Sequence, residues 1–244
     1  MRRKLPIIII IVVLVVALAG GALLMRSSNT STTPPNIAQL PPTVTTGTPA
    51  SAAATPAAAQ PAAAPPVNLQ NAHLRGRADA PLLLEEYGDF QCPPCGFFHP
   101  ILKRLEGEYE TQLRVAFHHF PLRNMHNFAD EAARAAEAAA LQGKFWQMHD
   151  LLFEKQNEWK DAPAARPIFL NYARTLGLDL DKFTRDIDSP VIRSRVMEHE
   201  KHGAARGVGG TPTVFLNGRE IPFEVITNYN SLRATIEREL AATR

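Results

Sequence analysis

Cysteine is nearly absent from this chain: 244 residues contain two, Cys92 and Cys95. They stand two residues apart, and the loop they would close is too short to restrain much chain entropy. A structural disulfide therefore explains them poorly. No other cysteine exists to complete a metal site or to carry a lipid anchor behind the N-terminal apolar run. Acidic residues are missing before Ser27, and from Ser27 to Leu74 there is no Asp, Glu, Lys or Arg. Arg2, Arg3, Lys4 and Arg26 contribute four positive charges to a net charge of +2, which leaves about −2 for the rest. A slightly acidic remainder without a basic stripe gives nucleic-acid binding no electrostatic support. No internal repeat is present.

What is there begins with a targeting element. Arg2-Arg3-Lys4 precedes an uncharged run from Leu5 to Met25, dominated by Ile, Val, Leu and Ala. About 20 apolar residues span a bilayer, and the basic flank orients the N-terminal end to the cytoplasm. The expectation is an N-terminal transmembrane anchor or signal peptide over 1–26, with the rest of the chain extracytoplasmic. Ala17-Leu18-Ala19 resembles a small-residue cleavage site, so secretion after signal cleavage is the alternative. Both readings deliver Cys92 and Cys95 to an oxidising compartment. Nine of the 20 prolines fall between Pro34 and Pro66, among Ala, Thr, Ser and Gln. Such a stretch has neither a core pattern nor a surface-helix pattern and reads as a disordered linker over 27–67. A reach of about 40 Å suits a tether fixed at one end, which favours the uncleaved anchor.

The remaining 68–244 reads as an α/β domain. Pro81 to Tyr87 is a buried strand leading into Asp89-Phe90-Gln91-Cys92-Pro93-Pro94-Cys95, and a helix starts near Pro93, where a missing N–H costs nothing. Pro100 falls inside that helix and kinks it. Leu113 to Phe120 is a second strand. Helices follow over Asn127–Gln142, Lys144–Glu154, Arg166–Leu176, Asp181–Asp186 and from Pro190 to about Arg206, forming a helical insertion at about 124–206. Thr213 to Leu216, the Asn217-Gly218 turn and Arg219 to Phe223 make a hairpin, and Tyr229 to Ala242 a closing helix. A dithiol at the start of a helix suits thiol–disulfide exchange, in which one thiolate attacks a substrate disulfide and the second resolves the mixed disulfide.

Glu86-Tyr87-Gly88-Asp89-Phe90-Gln91-Cys92-Pro93-Pro94-Cys95 resembles the strand-to-active-site segment of DsbA-like thiol-disulfide oxidoreductases of the thioredoxin superfamily. Thr211-Pro212-Thr213 is similar to their cis-proline loop, and Ala135-Ala136-Glu137-Ala138 and Gly143-Lys144-Phe145-Trp146 to their inserted helical domain. The resemblance covers about 68–244 and implies a thioredoxin-like fold without a cofactor. It implies that Cys92 is the exposed nucleophile and Cys95 the buried resolving thiol. Pro212, if cis, faces the pair while the Thr211 backbone receives a substrate strand. Glu86 matches a buried acid that moves a proton to and from the resolving cysteine; its alternative reading is an ordinary strand-end glutamate like Glu85. The strongly oxidising members carry a histidine before the second cysteine. Here Pro93 and Pro94 offer no N–H and no charge, so the Cys92 pKa should be higher and the disulfide less oxidising than in those proteins.

Zinc would need two more ligands. Histidines are available at His99, His118, His119, His126, His149, His199 and His202, but without the usual pair spacing, and no metal is expected. His99 reads as a helix-surface residue, and of His118 and His119 at most one faces the site. The resulting function is an oxidase that donates disulfides to cysteine-containing exported polypeptides. The family implies a quinone-linked membrane reoxidant of the DsbB or vitamin K epoxide reductase type. The alternatives are a reductase or isomerase of the same compartment, and a non-enzymatic redox-sensing module.

Overall fold

The computed structural model describes residue 69 and residues 71–243. The anchor expected over 1–26 and the linker over 27–67 lie outside these residues. Among the described residues no helix is long and apolar enough to cross a membrane.

Two seven-residue strands, β2 (Leu82–Gly88) and β3 (Leu113–His119), run parallel at the centre of a five-stranded sheet, in register from Leu82 opposite Leu113 to Gly88 opposite His119. Both are buried over nearly their whole length, as strands covered on two faces are, although Glu85, Glu86, His118 and His119 lie among their apolar residues. β1 (His73–Arg75) lies antiparallel on β3; β4 (Thr213–Leu216) lies antiparallel on β2, with β5 (Arg219–Ile221) outside it. The order is β1-β3-β2-β4-β5. Asn217 and Gly218 make the hairpin turn with φ of 47° and 80°, the left-handed conformation such a two-residue turn demands. The Asn217 side chain also accepts the Leu83 N–H at 2.8 Å, which pins the hairpin to β2.

Helix α1 (Pro93–Glu108) starts with Pro93 and Pro94 in its first turn and carries Pro100 inside. It packs Phe98, Leu102 and Leu105 against Leu82, Leu84, Val115 and Val214 of the sheet, together with Leu232, Ile236 and Leu240 of the closing helix. Full burial of such side chains stabilises by about 1.5–3 kcal/mol each. The insertion between β3 and β4 comprises α2 (Ala129–Ala140), α3 (Phe145–Glu154), α4 (Gln156–Trp159), α5 (Arg166–Thr175), α6 (Leu180–Ile187) and α7 (Pro190–Ala205). Its core gathers Ala132, Ala135, Ala136 and Ala139 of α2 with Met148, Trp159, Phe169 and Phe183, and extends to Phe90, Cys92 and Cys95. Alanines on α2 let the neighbouring helices approach closely.

Three elements depart from expectation. β1 and α4 are too short to leave a periodic signal. The returning hairpin strand stops at Ile221 rather than Phe223: Pro222 has no N–H to give a ladder, and Phe223–Ile226 winds into one helical turn, α8. The last helix, α9 (Tyr229–Ala242), has the expected bounds, its cap Asn228 accepting the Ser231 N–H.

Candidate active site

β2 delivers the chain into a tight loop that Asp89 organises. Its Oδ1 accepts the Gln91 N–H at 2.8 Å, its Oδ2 accepts the Leu122 N–H at 2.9 Å, and His126 Nδ1 lies 2.6 Å from Oδ2. The Cys92 N–H then donates to the Asp89 carbonyl at 3.1 Å, leaving Cys92 as the N-cap of α1. Gly88 lies at the strand end, where a Cβ would stand 2.5 Å from the Phe117 ring.

Cys92 is less open than expected, with 4% of its surface exposed. The reason is the loop opposite: the Thr211–Pro212 peptide is cis, and the Cys92 thiol donates to the Thr211 carbonyl at 3.3 Å. The Cys92 pKa is lowered to about 6, first by a hydrogen bond from the Cys95 thiol, against the opposing effect of burial, with help from Thr211 and from the Cys95 N–H. A carbonyl cannot stabilise a thiolate. The Thr211 group able to do so is its hydroxyl, which is buried and has no other partner. Pro93 and Pro94 supply no N–H, so the Cys95 N–H is the first free donor of the helix. A pKa of about 6 lies within the range of about 3.5–7.5 for such motifs.

Cys95 is wholly buried, and burial, the Cys92 hydrogen bond, the Cys92 charge and Glu86 push its pKa well above the ordinary thiol value. Glu86 is also buried, its Oε1 without a hydrogen-bond partner. Burial raises it to about 8, the nearby Glu106 and Cys92 adding to the effect and Arg75 opposing it, so it is mainly protonated at neutral pH. Glu85, read from sequence as an ordinary strand-end glutamate, is buried as well. It lies on the opposite face, where Arg206 Nη1 donates to its Oε2 at 2.8 Å. Of two adjacent buried acids, one has a cation and the other has none.

Sequence reading missed the two glutamines that join this loop to the insertion. Gln91 donates to the Lys160 carbonyl at 2.7 Å and accepts the Phe128 N–H at 2.6 Å. Gln156 donates to the carbonyls of Phe90 and Cys92 at 2.7 and 2.9 Å. Polar uncharged residues far apart in sequence carry no pattern that would reveal this.

His99 is buried rather than on the surface, stacked on Phe153 with ring centroids 5.2 Å apart. His118 and His119 are both buried because β3 is covered on both faces. His73, absent from the sequence reading, bonds Glu137 at 2.7 Å. Among the described residues, two groups bring three potential metal ligands within 4.8 Å: His73, Glu137 and His199, and His99, His149 and Asp150. In the first, Glu137 is already held by His73, His119 and Arg195, and His199 Nδ1 accepts the His119 N–H, which leaves the ring proton on Nε2. In the second, Arg75 and Lys103 occupy Asp150 and would repel a cation.

Residues 68–238 match a protein family described as Thioredoxin. The chain belongs to the thioredoxin family. Its fold is that of the DsbA-like members. Oxidised BdbD from Bacillus subtilis superposes with a TM-score of 0.64 at 22% identity, over 71% of this chain and 95% of that one. Wolbachia pipientis α-DsbA1 gives 0.62 at 19% identity, over 72% and 94%. A thioredoxin-like oxidoreductase from Silicibacter pomeroyi gives 0.58 at 25% identity, over 69% and 91%. Among curated relatives, Na(+)/H(+) antiporter NhaA 1 of Salinispora arenicola is 39% identical over 179 residues, which are 73% of this chain and 26% of the antiporter. NhaA 1 of Mycolicibacterium vanbaalenii is 40% identical over 157 residues, 63% of this chain and 24% of that protein. The chain spans about a quarter of the length of these relatives.

Proposed function

We propose that this protein is an extracytoplasmic thiol–disulfide oxidoreductase that donates the Cys92–Cys95 disulfide to exported polypeptides containing cysteine. The observation that carries this reading is the placement of the two thiols: Cys92 caps α1 against the Thr211 carbonyl at 3.3 Å, while Cys95 lies wholly buried inside the helix, an arrangement that lowers the Cys92 pKa and raises that of Cys95. A stabilised thiolate favours the reduced dithiol and so makes the disulfide more oxidising than it would be with ordinary thiols. A substrate thiolate attacks Cys92 Sγ, the Cys92–Cys95 bond breaks, and Cys95 leaves with the electron pair. Being buried, it takes a proton from Glu86. A second substrate thiolate attacks the substrate sulfur of the mixed disulfide and releases Cys92 as a thiolate. The substrate loses two electrons and the pair gains them. The Thr211–Pro212 edge takes the substrate backbone during these steps.

In this reading residues 1–26 hold the chain in the membrane, residues 27–67 tether it, and a DsbB-like or vitamin K epoxide reductase-like membrane protein reoxidises the pair. Ion transport, named for the antiporter relatives, is not part of it, since about a quarter of their length is matched.

Two measurements test the proposal. The oxidised protein should introduce disulfides into a reduced, unfolded polypeptide, and Cys92→Ala should abolish this. Acid quench and thiol alkylation in cells should find Cys92 and Cys95 mainly oxidised; a mainly reduced pair would make the protein a reductase or isomerase instead.

A further inference from the structure

Gln156 sits on the insertion, 61 positions past Cys95, yet its amide lies against the cysteine loop. Both of its N–H bonds are used there, one on the Phe90 carbonyl at 2.7 Å and one on the Cys92 carbonyl at 2.9 Å. The side chain is buried, and the approach is close: a Cβ on Gly96 would stand 2.6 Å from Gln156 Oε1. The Cys92 carbonyl also receives the Gly96 N–H at 3.1 Å, so it is fully engaged.

This contact bears on the thiol for two reasons. First, the carbonyl oxygens of Phe90 and Cys92 carry partial negative charge beside a sulfur that becomes negative, and amide hydrogens directed at both oxygens offset that charge. Second, holding the Cys92 carbonyl fixes the Cys92 backbone at φ −68° and ψ 121°, and with it the direction of Sγ toward Thr211 and Cys95. Pro93 and Pro94 give the loop no N–H of its own for either task. We propose that Gln156 is a positioning residue that sets the reactivity of Cys92 from across the domain. The inference rests on Cys92 being the attacking thiol.

Gln156→Met keeps the length of the side chain and removes both donors. In the full chain, the pH midpoint of Cys92 alkylation by iodoacetamide should rise by about 0.5–1 unit, cutting the rate at pH 6 roughly threefold. The equilibrium with glutathione should shift toward the protein disulfide. Trp159→Phe, which keeps Gln156 and loses the indole bond to the Leu152 carbonyl, should lower the melting temperature and leave the midpoint in place. Gly96→Ala displaces the Gln156 amide directly and should move the midpoint in the same direction, which decides the matter if Gln156→Met does not fold. An unchanged midpoint in the Gln156 or Gly96 variant, or an equal shift in Trp159→Phe, overturns the proposal. Alkylation needs no protein substrate, so this result is independent of whether the protein proves to be an oxidase.

Discussion

Glu86 shows how much depends on a single unpaired atom. Its folded pKa of about 8 stands above an ordinary value of 4.5. The stability linked to it is complete below the ordinary value and is lost as pH rises through the folded one. Glu86→Gln removes this dependence, so the variant should exceed the wild type in stability at pH 8–9, on the order of a few kcal/mol, with the gap closing toward pH 5. Urea denaturation across that range measures it. The same variant has no proton to give Cys95, and disulfide transfer should slow roughly 10²-fold at neutral pH. Faster exchange at unchanged stability would remove Glu86 from the mechanism. Sequence placed Glu86 six residues before Cys92, but not its missing partner, because Glu85 beside it has the same composition and the opposite environment.

At the scale of elements, the helices show where pattern and packing diverge. Pro93, Pro94 and Pro190 marked helix starts from sequence, since each acts locally on its own first turn. Helix glycines carry no such message. Gly107 and Gly203 both lie in helices, and alanine is intrinsically better there by about 1 kcal/mol. A Cβ on Gly107 meets nothing within 4 Å, whereas on Gly203 it meets the rings of Phe120 and Tyr87 at 2.9 Å. Overpacking costs about 1–3 kcal/mol, enough to reverse the sign. Gly107→Ala should therefore raise the melting temperature by a few degrees, and Gly203→Ala should lower it; calorimetry of the two variants distinguishes them. Equal effects would mean that the α7 contact relaxes freely. β1 and α4 escaped sequence reading for a related reason: three or four residues hold no period, and their positions are imposed by β3 and α3.

Over the whole molecule, the histidines set the pH tolerance. His99 is lowered to about 4, and His118 and His149 to about 3, burial being the largest cause in each. Each is neutral when folded and takes a proton on unfolding below its ordinary value of 6.5. Their contribution is complete above that value and is lost as pH falls toward the folded values. Glu86 acts in the opposite direction but is outnumbered. The unfolding free energy from urea denaturation should fall steeply between pH 6.5 and 4, by several kcal/mol in total; an unchanged value at pH 5 would show these rings to be open to solvent. Sequence by itself determined the dithiol, the strand before it and the order of helices, because each is written in neighbouring residues through spacing, capping or periodicity; the proline loop was legible through its resemblance to a family segment. Tertiary structure alone decided which of two adjacent acids is left unpaired, how far Cys92 is covered, and that Gln156 reaches its carbonyl. These depend on which faces meet across the fold, and residues distant in sequence become neighbours only when the insertion closes on the sheet.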